Sequence, residues 1–310
     1  MPTLEGLRRQ IDTATDLSSV VTTMKTLAAV SIHQYERAVE ALADYNHTVE
    51  LGFQIALSGE SLRLESNDAS HQTAAVVFGS DQGMCGQFNE EIVSFFNTKV
   101  EQESARRSWK MLAVGVRAEG QLLDSGWDVD HTYEVPTSVS DITNLVQEML
   151  PHIERLRSEA DISRLFVFYN RRASASSFEP RRLQLLPIDP QRLERWHDEP
   201  WQSRSLPMFV TERRWLLSRL IQQYLFVSLF RACAESLASE NASRIAAMQA
   251  AEKNIEERLD ELRGSFNQLR QSAITEELLD VVTGFEALSK QLRKHGRNKR
   301  PSKQKENPHG

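Results

Sequence analysis

Two long stretches of the chain, residues 7–51 and 208–263, contain neither glycine nor proline. Between them, residues 52–207 hold eight of the 13 glycines and seven of the 10 prolines. These two residue types are the strongest interruptions of an α-helix. The pattern therefore predicts a long helix near each end of the chain, with a compact domain inserted between the two.

The first predicted helix carries a heptad repeat. Alternating steps of three and four residues from Leu4 to Val49 reach fourteen positions, and eleven of them are apolar. The three exceptions are Ser18, Lys25 and Asn46. An apolar seam of this length is typical of a left-handed coiled coil rather than of a helix in a globular core.

The last predicted helix carries a similar stripe in two parts. The first part is Ile255, Leu259, Leu262, Phe266 and Leu269; after one extra residue, the second part is Ile274, Leu278, Val281, Phe285 and Leu288. An apolar stripe on a helix needs a partner that covers it. We therefore expect the two long helices to cover each other as an antiparallel coiled coil.

The middle of the chain alternates short apolar runs with segments of helical spacing. Four strands are predicted, at residues 74–78, 110–116, 164–170 and 181–188, with helical segments between the first three. This order favours an α/β fold with a mostly parallel, Rossmann-like sheet. The predicted organisation is a shaft helix at 1–57, an α/β domain at 70–190, a shaft helix at 208–288 and a basic, disordered tail at 289–310.

Composition and charge exclude several classes of protein. No stretch approaches the ~20 uncharged residues that a membrane span requires, and the N-terminal segment contains Glu5 and Asp12, unlike a secretion or import signal. Two cysteines are too few for a disulfide framework or a zinc site, which indicates a reducing cytoplasm. The net charge is −6, yet residues 289–310 carry eight Lys or Arg against one acid.

One glycine-rich loop, Gly79–Gly86, follows the first predicted strand. A phosphate could bind there at a helix N-terminus, but the loop lacks both the Lys-Ser/Thr pair of a nucleotide P-loop and the glycine spacing of a dinucleotide fold. Cys85 could act as a nucleophile at the helix start. A tight strand-to-helix turn is the preferred interpretation, and with the histidines scattered we expect no catalytic site, no cofactor and no metal.

Four groups of residues form a more specific pattern. They are Met24-Lys25 with Ala28-Ala29, the loop SDQGMCGQFN at 80–89, Ser239-Glu240 with Arg244, and the segment NQLRQSAITEELL at 267–279. In these motifs and in its layout, the chain resembles the gamma subunit of F-type ATP synthase over residues 2–288. The basic tail extends beyond the usual end of that family.

The resemblance implies a non-catalytic rotor shaft that couples ion flow through the membrane sector to ATP synthesis or hydrolysis at the beta subunits. The implied partners are the ring of alpha and beta subunits, the epsilon subunit and the c-ring. The implied location is peripheral, on the cytoplasmic face of a bacterial inner membrane.

The resemblance also implies which residues contact the alpha/beta ring: Met24, Lys25, Arg270, Gln271, Thr275 and Glu277. The residues themselves leave a second explanation, in which Lys25 merely interrupts the seam and Arg270 pairs with Glu276 or Glu277. An alternative function also stays open at this point. The chain could be a coiled-coil adaptor that binds nucleic acid through its basic tail, although the gamma-subunit resemblance implies no nucleic acid.

Overall fold

A computed structural model describes residues 3–58, 72–102, 109–160, 162–174, 177–199, 201, 204–205 and 207–297, with side chains of the last stretch through Glu286 and at Leu288. The chain forms two compact units. The first combines the residues up to Val20 with those from Glu252 onward, and the second is Val21–Ala251. Within the described residues, no helix has an apolar stretch long enough to cross a bilayer.

Helix α1 (Leu4–Leu57) follows the predicted heptad seam. All fourteen seam positions are buried or half-buried, including Ser18, Lys25 and Asn46. The seam prediction is confirmed, because the apolar side chains repeat at the spacing that keeps one face of a helix covered.

The last helix, α6 (Arg213–Arg297), packs antiparallel to α1 within the second unit. The Tyr45 hydroxyl lies 2.6 Å from the Gln223 side-chain oxygen, and farther along α1 the Leu220 side chain packs against Gly52. The two helices therefore run in opposite directions. The helix starts five residues later than predicted and continues through Arg297, where the sequence predicted a disordered tail; residues 298–310 of that tail lie outside the described part.

The two parts of the α6 stripe, both in the first unit, differ in how far their side chains are exposed. Every residue of the first part is buried or half-buried, with Leu259 and Leu262 most buried. Every residue of the second part is exposed, from 48% for Ile274 to 75% for Phe285. The expectation that the two helices cover each other's stripes is therefore wrong for residues 274–288.

The domain between the long helices is a five-stranded α/β sheet. Its strands are β1 (Gln72–Phe78), β2 (Trp109–Val114), β3 (His131–Tyr133), β4 (Ile162–Arg172) and β5 (Phe178–Leu186). The order is β3-β2-β1-β4-β5, with the first four parallel and β5 antiparallel to β4. The helices are α2 (Phe88–Gln102), α3 (Val116–Asp124), α4 (Val139–Glu159) and α5 (Pro190–Asp198). The Rossmann-like prediction is confirmed, since 3-2-1-4 is the strand order of that fold.

The sheet is covered on both faces, and alternate residues of each strand point to opposite sides. In β1, Ala74, Val76 and Phe78 join a core that includes residues of α1, α4 and α6. Ala75 and Val77 join a second core with residues of α2 and α3. The α/β domain is thus packed onto the long helices of the second unit by one face of its sheet.

Two elements were not predicted. Strand β3 has three residues and no apolar run, so its sequence gives no strand signal. Helix α5 begins at the predicted end of the α/β domain and precedes the predicted second shaft helix: Asp189 accepts a hydrogen bond from the Gln191 backbone N–H at 3.0 Å, with Pro190 in the first turn. The ring of Trp196 then stacks on Phe53 of α1 at 4.6 Å.

Candidate functional site

The second part of the α6 stripe forms an exposed apolar surface on this helix. Besides its five stripe residues, Leu279 and Val282 are more than half exposed. Monomeric proteins rarely leave large contiguous apolar patches uncovered, and such patches mark interaction surfaces. We call Ile274, Leu278, Val281, Phe285 and Leu288 the exposed stripe.

Four of the predicted contact residues, Arg270, Gln271, Thr275 and Glu277, lie on α6 around the start of the exposed stripe, and all four are exposed. The Thr275 hydroxyl donates to the Gln271 carbonyl at 2.9 Å, one turn earlier in the same helix. Within the described part of the chain, Arg270 makes no ion pair with Glu276 or Glu277. The explanation in which Arg270 is held by its own helix is therefore wrong.

The other two predicted residues, Met24 and Lys25, belong to α1 and to the second unit. Both are half-buried. Lys25 occupies the seam and is engaged in an interaction within the chain. Its position agrees with the explanation in which it interrupts the seam.

Sequence reasoning missed a second apolar line on α1. Leu17, Val20, Leu27 and Val30 are each more than half exposed. With Met24 they are spaced by three, four, three and three residues, which places them along one side of the helix. The apolar spacing of these residues is present in the sequence, but it runs beside the longer heptad seam and is weaker than it.

Side chains of the glycine-rich loop form hydrogen bonds with the backbone around it. The Asp81 carboxylate accepts hydrogen bonds from the backbone N–H groups of Val116 at 2.9 Å and Val135 at 2.8 Å. An anion at the start of α3 would compete with this carboxylate. The Asn89 side chain closes the loop from the other side: it accepts from the Ser80 backbone N–H at 2.9 Å and donates to the Ser80 hydroxyl at 2.8 Å.

Helix α6 contacts this loop through a hydrogen bond. The Ser243 hydroxyl donates to the Cys85 carbonyl at 2.6 Å. In α/β sheets of this strand order, ligands bind at the ends of the strands where the order reverses, here between β1 and β4. Because α6 packs against the loop that follows β1, the nucleotide-binding alternative is not supported.

Cys85 is buried, and its sulfur lies 3.6 Å from the Ser80 hydroxyl oxygen. Burial raises the pKa of the Cys85 thiol, so the neutral form is favoured. A nucleophilic cysteine needs the opposite shift and an open approach. The structure therefore gives no support to the alternative in which Cys85 is a nucleophile.

Glu240 and Arg244 form a buried ion pair at 2.5 Å, one turn from each other on α6. Burial raises the pKa of the Glu240 carboxyl, and the nearby Arg244 opposes that shift. Together with Ser243, the pair lies in the part of α6 that contacts the glycine-rich loop. In the described residues, no group of three or more His, Cys, Asp or Glu side chains is arranged to hold a metal ion.

The sequence model described as ATP synthase matches residues 3–288 of the chain. The chain belongs to the ATP synthase gamma-chain family. Its relatives include the ATP synthase gamma chain of Synechococcus sp., 29% identical, and that of Fuscovulum blasticum, 26% identical. Each alignment covers 93% of this chain and 100% of the relative. The comparisons give no support to the nucleic-acid-binding alternative.

Solved structures share the fold of this gamma chain. A chain in the Euglena gracilis mitochondrial ATP synthase complex of OSCP, F1 and c-ring has a TM-score of 0.64 at 18% identity, with 98% of both chains covered. A chain of the rotor of the same organism's enzyme has a TM-score of 0.61 at 17% identity, covering 87% of this chain and 98% of that one. These likenesses confirm the combination of long helices with an α/β sheet.

Within this gamma chain, the four motifs of the sequence serve different purposes. The Ser239–Arg244 segment is buried or half-buried, and four of the ten residues of the 80–89 loop are buried. The hydrogen bond from Ser243 to the Cys85 carbonyl joins these two motifs. The 267–279 segment is mostly exposed, and Met24-Lys25 is half-buried. The 267–279 segment is therefore the most exposed of the four motifs.

Proposed function

We propose that this gamma chain is the rotating central shaft of an F-type ATP synthase, a non-catalytic subunit that couples ion flow in the membrane sector to the beta-subunit active sites. The observation that carries the proposal is the exposed stripe of α6, in a chain of this family. A helix that is covered by α1 for one part of its stripe and uncovered for the next is suited to enter a second protein. The partner we propose is the ring of alternating alpha and beta subunits.

We propose a division of labour along the chain. The two long helices form the shaft, and the α/β domain at 72–198 is the foot that contacts the epsilon subunit and the c-ring. Met208 and Val210, which are 90% and 99% exposed just before α6, supply apolar contact surface for the foot. We place the subunit peripherally at the cytoplasmic face of a bacterial membrane, as its bacterial relatives suggest.

The six predicted contact residues do not contribute equally to the proposed ring contact. Arg270 is exposed without an ion pair, so its guanidinium can form a two-pronged contact with a carboxylate of the ring. The Thr275 hydroxyl already donates to its own helix. Lys25 is half-buried and engaged. We expect Arg270 and Gln271 to dominate, with Met24 and Glu277 contributing and with smaller roles for Thr275 and Lys25.

The experiment is reconstitution of the full chain with alpha and beta subunits, followed by an assay of ATP hydrolysis. The test variant carries Arg270→Ala with Gln271→Ala. Its matched control carries Arg263→Ala with Gln249→Ala, which are exposed residues of the same types earlier on α6 and outside the 267–279 motif. The proposal expects hydrolysis to fall in the test variant only.

Two results would contradict this proposal. Full activity in the test variant would remove Arg270 and Gln271 from the ring contact. A chain that does not join alpha and beta at one copy per ring would contradict the shaft role itself.

A further inference from the structure

An apolar cavity of about 300 Å³ lies between α4 and the first turns of α6, away from the proposed ring contacts. Its apolar lining comes from Leu150 and Ile153 of α4 and from Leu217, Ile221 and Leu225 of α6. Ile153 and Leu225 are buried members of the core beneath the sheet, and the other three pack against it. The floor is therefore a fixed part of the fold, and a volume of this size is at the lower end for small-molecule sites.

Charged side chains border the cavity. Arg157 of α4 and Arg214 of α6 contribute to its lining, and both residues are exposed. Glu154 also lies there, one helical turn before Arg157. Within the described residues, none of the three takes part in an ion pair or a hydrogen bond. Two uncompensated guanidinium groups beside an apolar floor favour an anionic group at the rim, because arginine forms two-pronged hydrogen bonds with carboxylates.

We propose that this cavity is a binding site for a long-chain carboxylate, with the alkyl chain against the leucine and isoleucine floor and the carboxylate at Arg157 and Arg214. Each methylene group that leaves water contributes to binding, and the charged head selects acids over alcohols. Trp215, directly after Arg214, is 53% exposed and adds apolar surface beside the rim. All residues of the site belong to the second unit, so the inference is independent of the proposed shaft function.

The test measures binding of the fluorescent fatty acid cis-parinarate to the full chain at pH 8, below its micellar concentration, with laurate and 1-dodecanol as competitors. In the variant with Arg157→Gln and Arg214→Gln, the affinity for parinarate should fall by about tenfold or more for each arginine that contacts the carboxylate. Competition by 1-dodecanol in this variant should be unchanged. Ser218→Trp, at an exposed lining position, should block both competitors by filling the cavity.

The matched control is Arg155→Gln with Arg195→Gln, which removes the same charge from exposed residues of α4 and α5 outside the cavity. The control should bind parinarate as the unmodified chain does. If both double variants lost the same affinity for parinarate, the loss would come from the change in net charge, and the proposed site would be overturned. Undiminished binding in Ser218→Trp, or no binding to the unmodified chain, would overturn it as well.

Discussion

Leu262 and Leu278 provide a matched test of the exposed stripe, because the same residue occurs twice on one helix in opposite environments. Leu262 is 6% exposed and Leu278 is 61% exposed. In the full chain alone, Leu262→Ala should reduce the free energy of opening of the first unit by about 2–5 kcal/mol, the usual cost of truncating a buried leucine. Leu278→Ala should change it by less than about 0.5 kcal/mol, as surface substitutions do.

For assembly with alpha and beta subunits, Leu278→Ala should have the larger effect on affinity and Leu262→Ala the smaller one. Full burial of a leucine side chain is worth about 1.5–3 kcal/mol. Since 61% of Leu278 remains to be covered, its burial in a ring contributes roughly 1–2 kcal/mol, about a tenfold change in affinity. Leu262 is already covered within the chain and has little left to contribute directly.

Two measurements separate these effects. Amide hydrogen exchange of residues 252–270 in the isolated chain reports local opening, and titration of labelled chain into alpha and beta subunits reports affinity. A Leu278→Ala chain that opens as readily as Leu262→Ala would show that the exposed stripe is covered within the chain. An unchanged affinity for the ring would refute the proposal that the ring covers it.

Three further outcomes follow from the second unit. Ser243→Ala should lower the free energy of unfolding by about 0.5–1.5 kcal/mol, the usual net contribution of one hydrogen bond, because the buried Cys85 carbonyl then keeps only the 3.4 Å bond from the Phe88 backbone N–H; urea titration checks this, and a neutral result would contradict it. Gly79→Ala should also destabilise the chain in urea, because its new Cβ would lie 2.3 Å from that of Ala118; Gly120→Ala, with open space around it, is the control. Burial raises the pKa of Tyr35 to about 12, so stability present below pH 10 should be lost as pH rises toward 12, by about 2–3 kcal/mol from this residue. Tyr35→Phe should remove that part of the slope in urea midpoints measured from pH 9 to 12, and an unchanged slope would disprove the assignment.

The helices of this chain were predictable because local spacing decides them. The α1 seam, the first part of the α6 stripe and the alternation of strands with helices all depend on apolar periodicity, which the sequence displays directly. The three-residue β3 could not be found in this way, because it is defined by pairing with β2 and not by its own residues. The start of α5 does carry a sequence signal, because Asp189 followed by Pro190 is typical of a helix N-terminus.

The candidate site was less predictable for a physical reason. Periodicity shows that a stripe needs a partner but does not say whether the partner belongs to the same chain. The residues of the two α6 stripe parts are alike in type, yet only those at 255–269 are covered. Whether Arg270 forms an ion pair within its helix likewise depends on side-chain geometry. The sequence spacing allows a pair with Glu277, but the helix does not form it.

The switch-point region of the sheet is tied to neighbouring elements by two hydrogen bonds. A doubly wound sheet leaves a crevice where its strand order reverses, and ligands usually occupy it. Here Asn170 near the end of β4 donates to the Phe88 carbonyl at 2.9 Å, and Ser243 of α6 donates to the Cys85 carbonyl. Both sides of the crevice are thus tied to the start of α2, one by the sheet and one by the long helix. Moving the loop away from the sheet or from α6 would therefore break a buried hydrogen bond, which typically contributes about 0.5–1.5 kcal/mol to stability.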